Sequence, residues 1–382
     1  MTAQTGAAAQ ARPGGGRRLR VAQVLGPSTG GIGVHVRDLV EHCVARGDRV
    51  VVVGPPATEE YFGFAAAGAR FVPLPADPAN APRTVRRVLA GADVVHSHGL
   101  RAAALTNVAR ALSTRRVRHV VTLHNAVLAD GVRGRVSQLV ERLAVRPADL
   151  VLGASADLVV RARALGARRA EFRAVPAPAL PEPSAGREAL RARLGVPQDT
   201  SLIVSVGRLA PQKSYPLLLD AVRELLARPG PPPRLRVLIA GDGPDREALA
   251  ARIEGLGLPV TLLGRRDDVA DLLAAADVFV LCSRWEARAL VVQEALRAGT
   301  PVVATAVGGL PGLVGDAAVL VRWNDPAALA TALHDVLTDE VLRTELRRAG
   351  PARAAAWPER TDALDRIRAE YSPRPARVVL GG

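Results

Sequence analysis

Short apolar runs alternate with amphipathic stretches along almost the whole chain. RVAQVLG (20–26) has no strict polar alternation, so it predicts a strand buried on both faces, as a parallel sheet requires. In VHVRDLVEHCVARG (34–47), Val36, Leu39, Val40 and Cys43 fall at i, i+3, i+4 and i+7. That is the stripe of a helix lying on the sheet, and Gly47 ends it. DRVVVVG (48–54), DVVHSHG (93–99), HVVTLHN (119–125) and DLVLGAS (149–155) read as further strands. PAPALPEPSAG (176–186) is proline-rich and apolar-poor, which predicts an interdomain linker in a stretch of changed composition over 176–200. The pattern then restarts at SLIVSVG (201–207), RLRVLIAGDG (234–243), VTLLGR (260–265), DVFVLCS (277–283), TPVVATAVGG (300–309) and AAVLV (317–321). Helix-length segments such as 268–276 and 289–299 separate these runs. Two successive βα arrays predict an α/β chain of two doubly wound, Rossmann-like domains facing across a cleft, with ligands at the carboxyl ends of the strands.

Composition narrows this picture. Only 3% of residues are aromatic against 48% hydrophobic, so the cores must be aliphatic. Cys43 and Cys282 are too far apart in sequence to suggest a zinc knuckle or disulfide framework, which points to a reduced, cytoplasmic setting. No apolar run approaches the roughly 18–20 residues of a membrane span. The expected layout is a disordered tail over 1–19, one domain over 20–182 and a second over 183–357. A helix within 358–382 then crosses back to the first domain before a short tail.

Charge adds two clues. The net +14 lies almost wholly within residues 1–183, in clusters at Arg83, Arg86, Arg87; Arg115, Arg116, Arg118; Arg133, Arg135; and Arg161, Arg163, Arg168, Arg169. A basic half implies an anionic partner or surface. Few aromatics and no recognised module argue against nucleic acid. The second clue is that Lys213 is the only lysine beside fifty arginines, in a turn five residues after Arg208. Mutational bias has replaced lysine elsewhere, so its retention in VGRLAPQKSYP implies a task for a compact ammonium.

Other candidate chemistry clusters near strand ends. GPSTGGIG (26–33) leads into a helix, and Gly30, Gly31 and Gly33 let backbone approach a phosphate or sugar. A dinucleotide fingerprint would need glycine where Val36 stands. Glu286 and Glu294, eight residues apart, would point into the cleft as hydrogen-bond acceptors. His96 and His98 share a strand face without a third metal ligand and read as structural. Asp267 and Asp268 read as a helix-start cap.

The ordered set GGIGVHV, DVVHSHG, TLHN, VGRLAPQKS, IAGDGP, LLGRRDDVADLLAAADVFVLCS, E-x7-E and GTPVVATAVGG resembles family 4 of the glycosyltransferases, over residues from about 20 to 370. The resemblance implies the GT-B fold and an enzyme that retains anomeric configuration, using a nucleotide-diphosphate sugar (UDP- or GDP-linked) as co-substrate with no metal or other cofactor. It implies that Arg208 and Lys213 grip the donor diphosphate, that Glu294 holds the ribose and that Glu286 holds the donor sugar. Gly207, Ala289 and Leu290 complete the donor site. Gly31 and Gly33 would offer backbone N–H groups near the diphosphate and acceptor, and His124 would meet the sugar near the reacting carbon. His124, Arg208, Lys213 and Glu286 form the expected catalytic set.

Three departures from the family pattern stand out. Ala287, Arg288 and Ala289 replace a frequent Gly-Phe-Gly, PAPAL replaces a Pro-Asn-Gly turn, and Ser214 replaces a glycine. The acceptor is expected to be anionic or lipid-linked, as in cell-envelope glycan, glycolipid or small-molecule glycoside synthesis, and the enzyme cytoplasmic or peripheral at the inner membrane face. A nucleotide-sugar epimerase or a catalytically silent scaffold remain alternatives.

Overall fold

The computed structural model describes residues 17–28, 30–126, 131–230 and 234–372, with the side chains of 131–137 outside that description. Most of the expected N-terminal tail, the segment after 372, and the side chains of Arg133 and Arg135 therefore lie outside the described residues. The first sheet has seven parallel strands: β1 (Arg20–Leu25), β2 (Arg49–Gly54), β3 (Arg70–Pro73), β4 (Val94–His98), β5 (Arg118–Leu123), β6 (Leu150–Gly153) and β7 (Ala170–Phe172). The second has six: β8 (Ser201–Val206), β9 (Leu235–Ala240), β10 (Val260–Gly264), β11 (Val278–Leu281), β12 (Val302–Thr305) and β13 (Val319–Val321).

Their spatial orders are β3-β2-β1-β4-β5-β6-β7 and β10-β9-β8-β11-β12-β13. Each order reverses once, between β1 and β4 and between β8 and β11. Crossover connections leave these two pairs in opposite directions, so a crevice opens at the carboxyl ends of each pair. Every candidate site motif falls on one of these crevices or a loop beside it.

Both sheets are covered on two faces by aliphatic side chains. On the first, Val36, Leu39, Val40 and Cys43 pack with Val21, Leu25, Val50 and Val52, while Ala22, Val24, Val85 and Leu89 fill the other face. The helix carrying the first group runs Gly31–Ala45, three residues earlier than its periodicity predicts. The glycines there are poor helix formers, so pattern reading excluded them. The expected linker, 176–186, carries no helix or strand. A short helix, Arg187–Arg193, follows it, and its Arg191 is buried and donates to the carbonyls of Ala275 and Pro197.

The C-terminal helix Arg360–Ala369 lies on the helix Gly31–Ala45. Leu364, Ile367 and Tyr371 join the first domain's core. Around them, Arg46 donates to Asp365 (2.6 Å) and Arg360 pairs with Asp38. Arg368 donates to both oxygens of Asp48 (2.7 and 2.8 Å), and the fully buried Asp48 carboxylate also accepts from the Leu19 N–H (2.9 Å). A carboxylate out of water needs such partners. Arg368→Ala is therefore expected to lower the urea-unfolding free energy of the first domain by roughly 3 kcal/mol. A loss below about 0.5 kcal/mol, the usual range for surface changes, would show that the crossing helix is not anchored this way.

Candidate active site

At the β8/β11 crevice, two loops are laced together. After β8, Gly207 and Arg208 lead into a 3-10 turn, Pro211–Lys213, and Ser214 then adopts φ 51°. That left-handed conformation costs a non-glycine residue about 1–2 kcal/mol, which explains why glycine is the ordinary choice there. Here the Ser214 hydroxyl accepts from Trp323 Nε1 (3.2 Å). Gln212 donates its side-chain amide to Trp285 O (2.9 Å), and Arg284 N–H donates to Gln212 O (2.8 Å). The turn is thereby fixed against the loop after β11. Lys213 Nζ lies 2.7 Å from Glu286 Oε1, which also accepts from Ser283 Oγ at 2.7 Å. The lone lysine and the first glutamate are thus ion-paired.

Around that pair the charge balance is uneven. Arg208 is exposed and pairs with no carboxylate among the described residues. Glu294, in the helix Leu290–Arg297, is half-buried without a hydrogen-bond partner among them. Burial pushes its carboxyl pKa up, and the Arg297 guanidinium only partly opposes this. An unpaired arginine and a desolvated, unpartnered carboxylate in one crevice are groups awaiting a ligand with both phosphate oxygens and hydroxyls.

Glycines set how closely the strands' loops meet. A β-carbon at Gly241 or Gly243 would overlap the carbonyls of Gly207 and Leu209, so the GDG loop lies directly on the Arg208 segment. Gly308 and Gly309 cover the Glu286 and Ala287 carbonyls in the same way, with Gly309 N–H donating to Glu286 O (2.8 Å). Motif reading quoted both glycine pairs but attached no role to them. It also missed Ser283, Gln212 and Trp285, whose partners are more than 70 residues away except for Ser283.

Across the cleft, Trp285 Nε1 donates to Asp157 Oδ2 (2.9 Å), and Trp285 and Ala287 pack among Leu123, Ala154 and Leu158 of the first domain. A β-carbon on Gly31 would lie 3.2 Å from Leu290 Cδ1, so the first glycine loop faces the helix Leu290–Arg297 directly. Ala289 is buried as the cap residue of that helix. Gly33 is accounted for differently. Its N–H already donates to Gly30 O (3.0 Å) and Ser28 Oγ (3.2 Å), and a β-carbon there would overlap the Phe62 ring. Arg288 turns away from the cleft, over the Trp357 ring at 5.4 Å.

His124 follows β5 and is 8% exposed, with Nε2 3.2 Å from His98 Nδ1. His96 bonds Tyr371 and Thr122, and among the described residues no group of three or more His, Cys, Asp or Glu could hold a metal ion. Burial depresses the pKa values of His35, His96, His98 and His124, His35 to about 4, so these rings are neutral near pH 7. Asp268 stands at the N-cap position of the helix Val269–Ala275, as expected, but its side chain makes no capping hydrogen bond and pairs with Arg266 instead, while Asp267 sits 3.6 Å from Arg265. Several of the clustered arginines are also accounted for outside the cleft. Arg115, Arg116 and Arg118 precede or begin β5, beside Asp93 and Asp149 at the opposite end of the sheet. Arg161 and Arg169 are neutralised by Glu141 and by Glu171 with Glu370.

Residues 30–178 match the family described as "Glycosyl transferase 4-like domain", and residues 186–353 the one described as "Glycosyl transferases group 1". A D-inositol 3-phosphate glycosyltransferase of Streptomyces avermitilis is 41% identical over 189 residues, covering 46% of this chain and 40% of that protein. One from Xylanimonas cellulosilytica is 36% identical over 215 residues, covering 52% and 50%. The chain thus spans half or less of these relatives' own length. Among solved structures, Anabaena HepE in complex with UDP and glucose is similar with TM-score 0.78 and 21% identity, over 92% of this chain and 99% of that one. WaaG, a glycosyltransferase involved in lipopolysaccharide biosynthesis, is similar with TM-score 0.71 and 18% identity, over 95% and 100%. These likenesses show the two-domain GT-B fold.

Glu294 generates a prediction that needs no substrate. Its carboxyl pKa is raised on folding, so the unfolded chain releases that proton first as pH rises. The penalty on folding is absent at low pH and fully present above the folded-state pKa. Glu294→Gln is therefore expected to raise Tm at pH 7.5, with the gain fading towards pH about 4. An unchanged or lowered Tm at pH 7.5 would mean that Glu294 has a stabilising partner.

Proposed function

The chain belongs to the family-4 glycosyltransferases of GT-B architecture, and on that premise we propose that it moves a sugar from a nucleotide-diphosphate sugar to an anionic acceptor with retention of configuration. One observation carries this reading. Lys213, held 2.7 Å from Glu286, stands in the β8/β11 crevice with the unpaired Arg208 and the unpartnered Glu294. The guanidinium can fork onto two phosphate oxygens. The ammonium has three N–H donors, of which Glu286 uses one, leaving two for the diphosphate.

Bond cleavage places negative charge on the departing diphosphate. Fixed donors aimed there gain strength as that charge develops and need no reorganisation. Glu286 Oε1 is occupied by Lys213 and Ser283, and Oε2 remains for a hydroxyl of the donor sugar. Glu294 accepts from the ribose hydroxyls. His124 meets the sugar from the first domain, whose docking through Trp285 and Asp157 excludes water from the transfer. The donor is the co-substrate, and the chemistry is proposed to run without a further cofactor.

HepE was solved with UDP and glucose, which makes UDP the first nucleotide to test here. The name D-inositol 3-phosphate glycosyltransferase supports a phosphorylated polyol as acceptor class. A membrane-presented acceptor is a second reading, favoured by a separate observation. Val108, Leu139 and Leu143 are all at least half exposed on neighbouring helices of a basic domain. No helix among the described residues is long and apolar enough to cross a membrane.

Lys213→Ala is expected to lower kcat by roughly 10²-fold with a smaller effect on KM, because the contact strengthens as the diphosphate leaves. Lys213→Arg should not restore the rate, since a planar fork cannot take the ammonium's place beside Glu286. Full activity in the arginine variant would contradict the assignment. Sedimentation with anionic and neutral vesicles separates the acceptor readings. Binding to anionic vesicles that fades between 0.1 M and 1 M salt, as the Debye length falls from about 10 to about 3 Å, favours the membrane-presented form. Turnover of a soluble phosphorylated polyol without vesicle binding favours the other.

A further inference from the structure

A chain of buried hydrogen bonds runs from the C-terminal segment to the cleft. Tyr371, just past the helix Arg360–Ala369, is 2% exposed and its hydroxyl accepts from Gln23 Nε2 (3.1 Å). The side-chain carbonyl of Gln23, on β1, is 2.8 Å from His98 Nε2. His98, at the end of β4, places Nδ1 3.2 Å from His124 Nε2. Tyr371 also faces His96 Nδ1 (2.8 Å), and His96 Nε2 faces Thr122 Oγ1 (2.6 Å). Gln23 and His96 are wholly buried, and His98 is 3% exposed.

Each link has only one consistent direction once the first is set. Gln23 donates its amide to Tyr371, so its oxygen must accept a proton from His98 Nε2. A neutral His98 then has a bare Nδ1, which must accept from His124 Nε2–H, and His124 is left with Nδ1 as its lone-pair acceptor. The Tyr371 proton goes to His96 Nδ1, and His96 Nε2–H goes to Thr122. His35 closes the assembly from the helix side. Both of its ring nitrogens are buried without a partner among the described residues, and its centroid is 5.9 Å from His98 and 5.5 Å from His124. It packs edge-on against both rings and offers no competing hydrogen bond.

We propose that Tyr371 and Gln23 are positioning residues that fix the tautomer and orientation of His124 through His98, tying the transfer site to the docking of the C-terminal helix on the first domain. The catalytic part of this rests on the reading of His124 as a donor-sugar contact; the tautomer coupling does not. Without the Tyr371 hydroxyl, no other described residue holds the Gln23 amide in one orientation. Once it flips, it donates to His98 Nε2, and His98 Nδ1–H then donates to His124. The neutral His124 ring must then carry its proton on Nδ1.

The test is ring-nitrogen NMR on the full chain with ¹⁵N-labelled histidine, the His124 signals being those lost in His124→Asn. The wild-type protein should show a single His124 tautomer, with Nε2 protonated and Nδ1 bare. Tyr371→Phe, which removes one oxygen, should populate both tautomers, and Gln23→Met should do so independently. Both variants should lose kcat by about 10–100-fold, the range known for outer partners of metal-bound histidines, with the Kd for UDP unchanged within about twofold. A wild-type His124 already mixed or protonated at Nδ1 would overturn the proposal. So would an unchanged tautomer in both variants, even with a fall in rate, because that fall would then be structural. A tautomer that responds in a protein inactive towards every donor would support the coupling while removing the glycosyl-transfer reading.

Discussion

The contact between Lys213 and Glu286 closes a gap that the strand order creates. Reversal between β8 and β11 leaves no helix over the carboxyl ends of these strands, so two loops must face each other across open space. The lysine ammonium and the glutamate carboxylate bridge them at 2.7 Å, supported by the Gln212 and Arg284 backbone contacts. Both side chains are largely removed from water, so deleting one leaves the other uncompensated. The geometry also limits what can stand there. A turn through Pro211–Lys213 followed by a left-handed Ser214 delivers a flexible stem ending in a single nitrogen, where arginine would bring a planar five-donor fork. The proposed task of that ammonium accounts for the lone lysine of an arginine-rich chain.

The first domain meets that crevice through two layers. Trp285 reaches out of the loop after β11 into the first domain's apolar surface and hydrogen-bonds Asp157, while Gly31 approaches Leu290 closely enough that a larger residue would have to displace it. Behind this contact lies the histidine layer, neutral through burial and ordered by hydrogen bonds that end on Tyr371. The crossing helix is held through Arg360 on Asp38, Arg368 on Asp48 and its own Asp365 on Arg46, so the C-terminal segment is an integral part of the first domain.

Much of this arrangement was legible in the sequence because burial on both faces leaves unbroken apolar runs, as in VVVV before Gly54 and VFVL at β11. The motif glycines and the two glutamates lie close in sequence to the strand ends that position them, so their placement could be anticipated. What sequence could not reveal depends on distant partners. Neither the Lys213–Glu286 pair nor the Trp285–Asp157 bond has a local signature, since each joins residues more than 70 positions apart. Gly33 read as a backbone-approach residue because its packing partner, Phe62, sits 29 positions further on. The charge asymmetry invited a basic cleft, yet several of its arginines are spent on Glu141, Glu171, Glu370 and Asp93 or lie at the far end of the sheet. Net charge reports composition and says nothing of where side chains converge.

A nucleoside diphosphate is expected to occupy the β8/β11 crevice against Arg208, Lys213 and Glu294. Hydrogen exchange of the full chain with and without saturating UDP, and in parallel GDP, measures this directly. One nucleotide should slow amide exchange in 207–214 and 285–294 while leaving the strand-start segment 113–118 unchanged. Protection confined to other segments, or none with either nucleotide, would contradict the account.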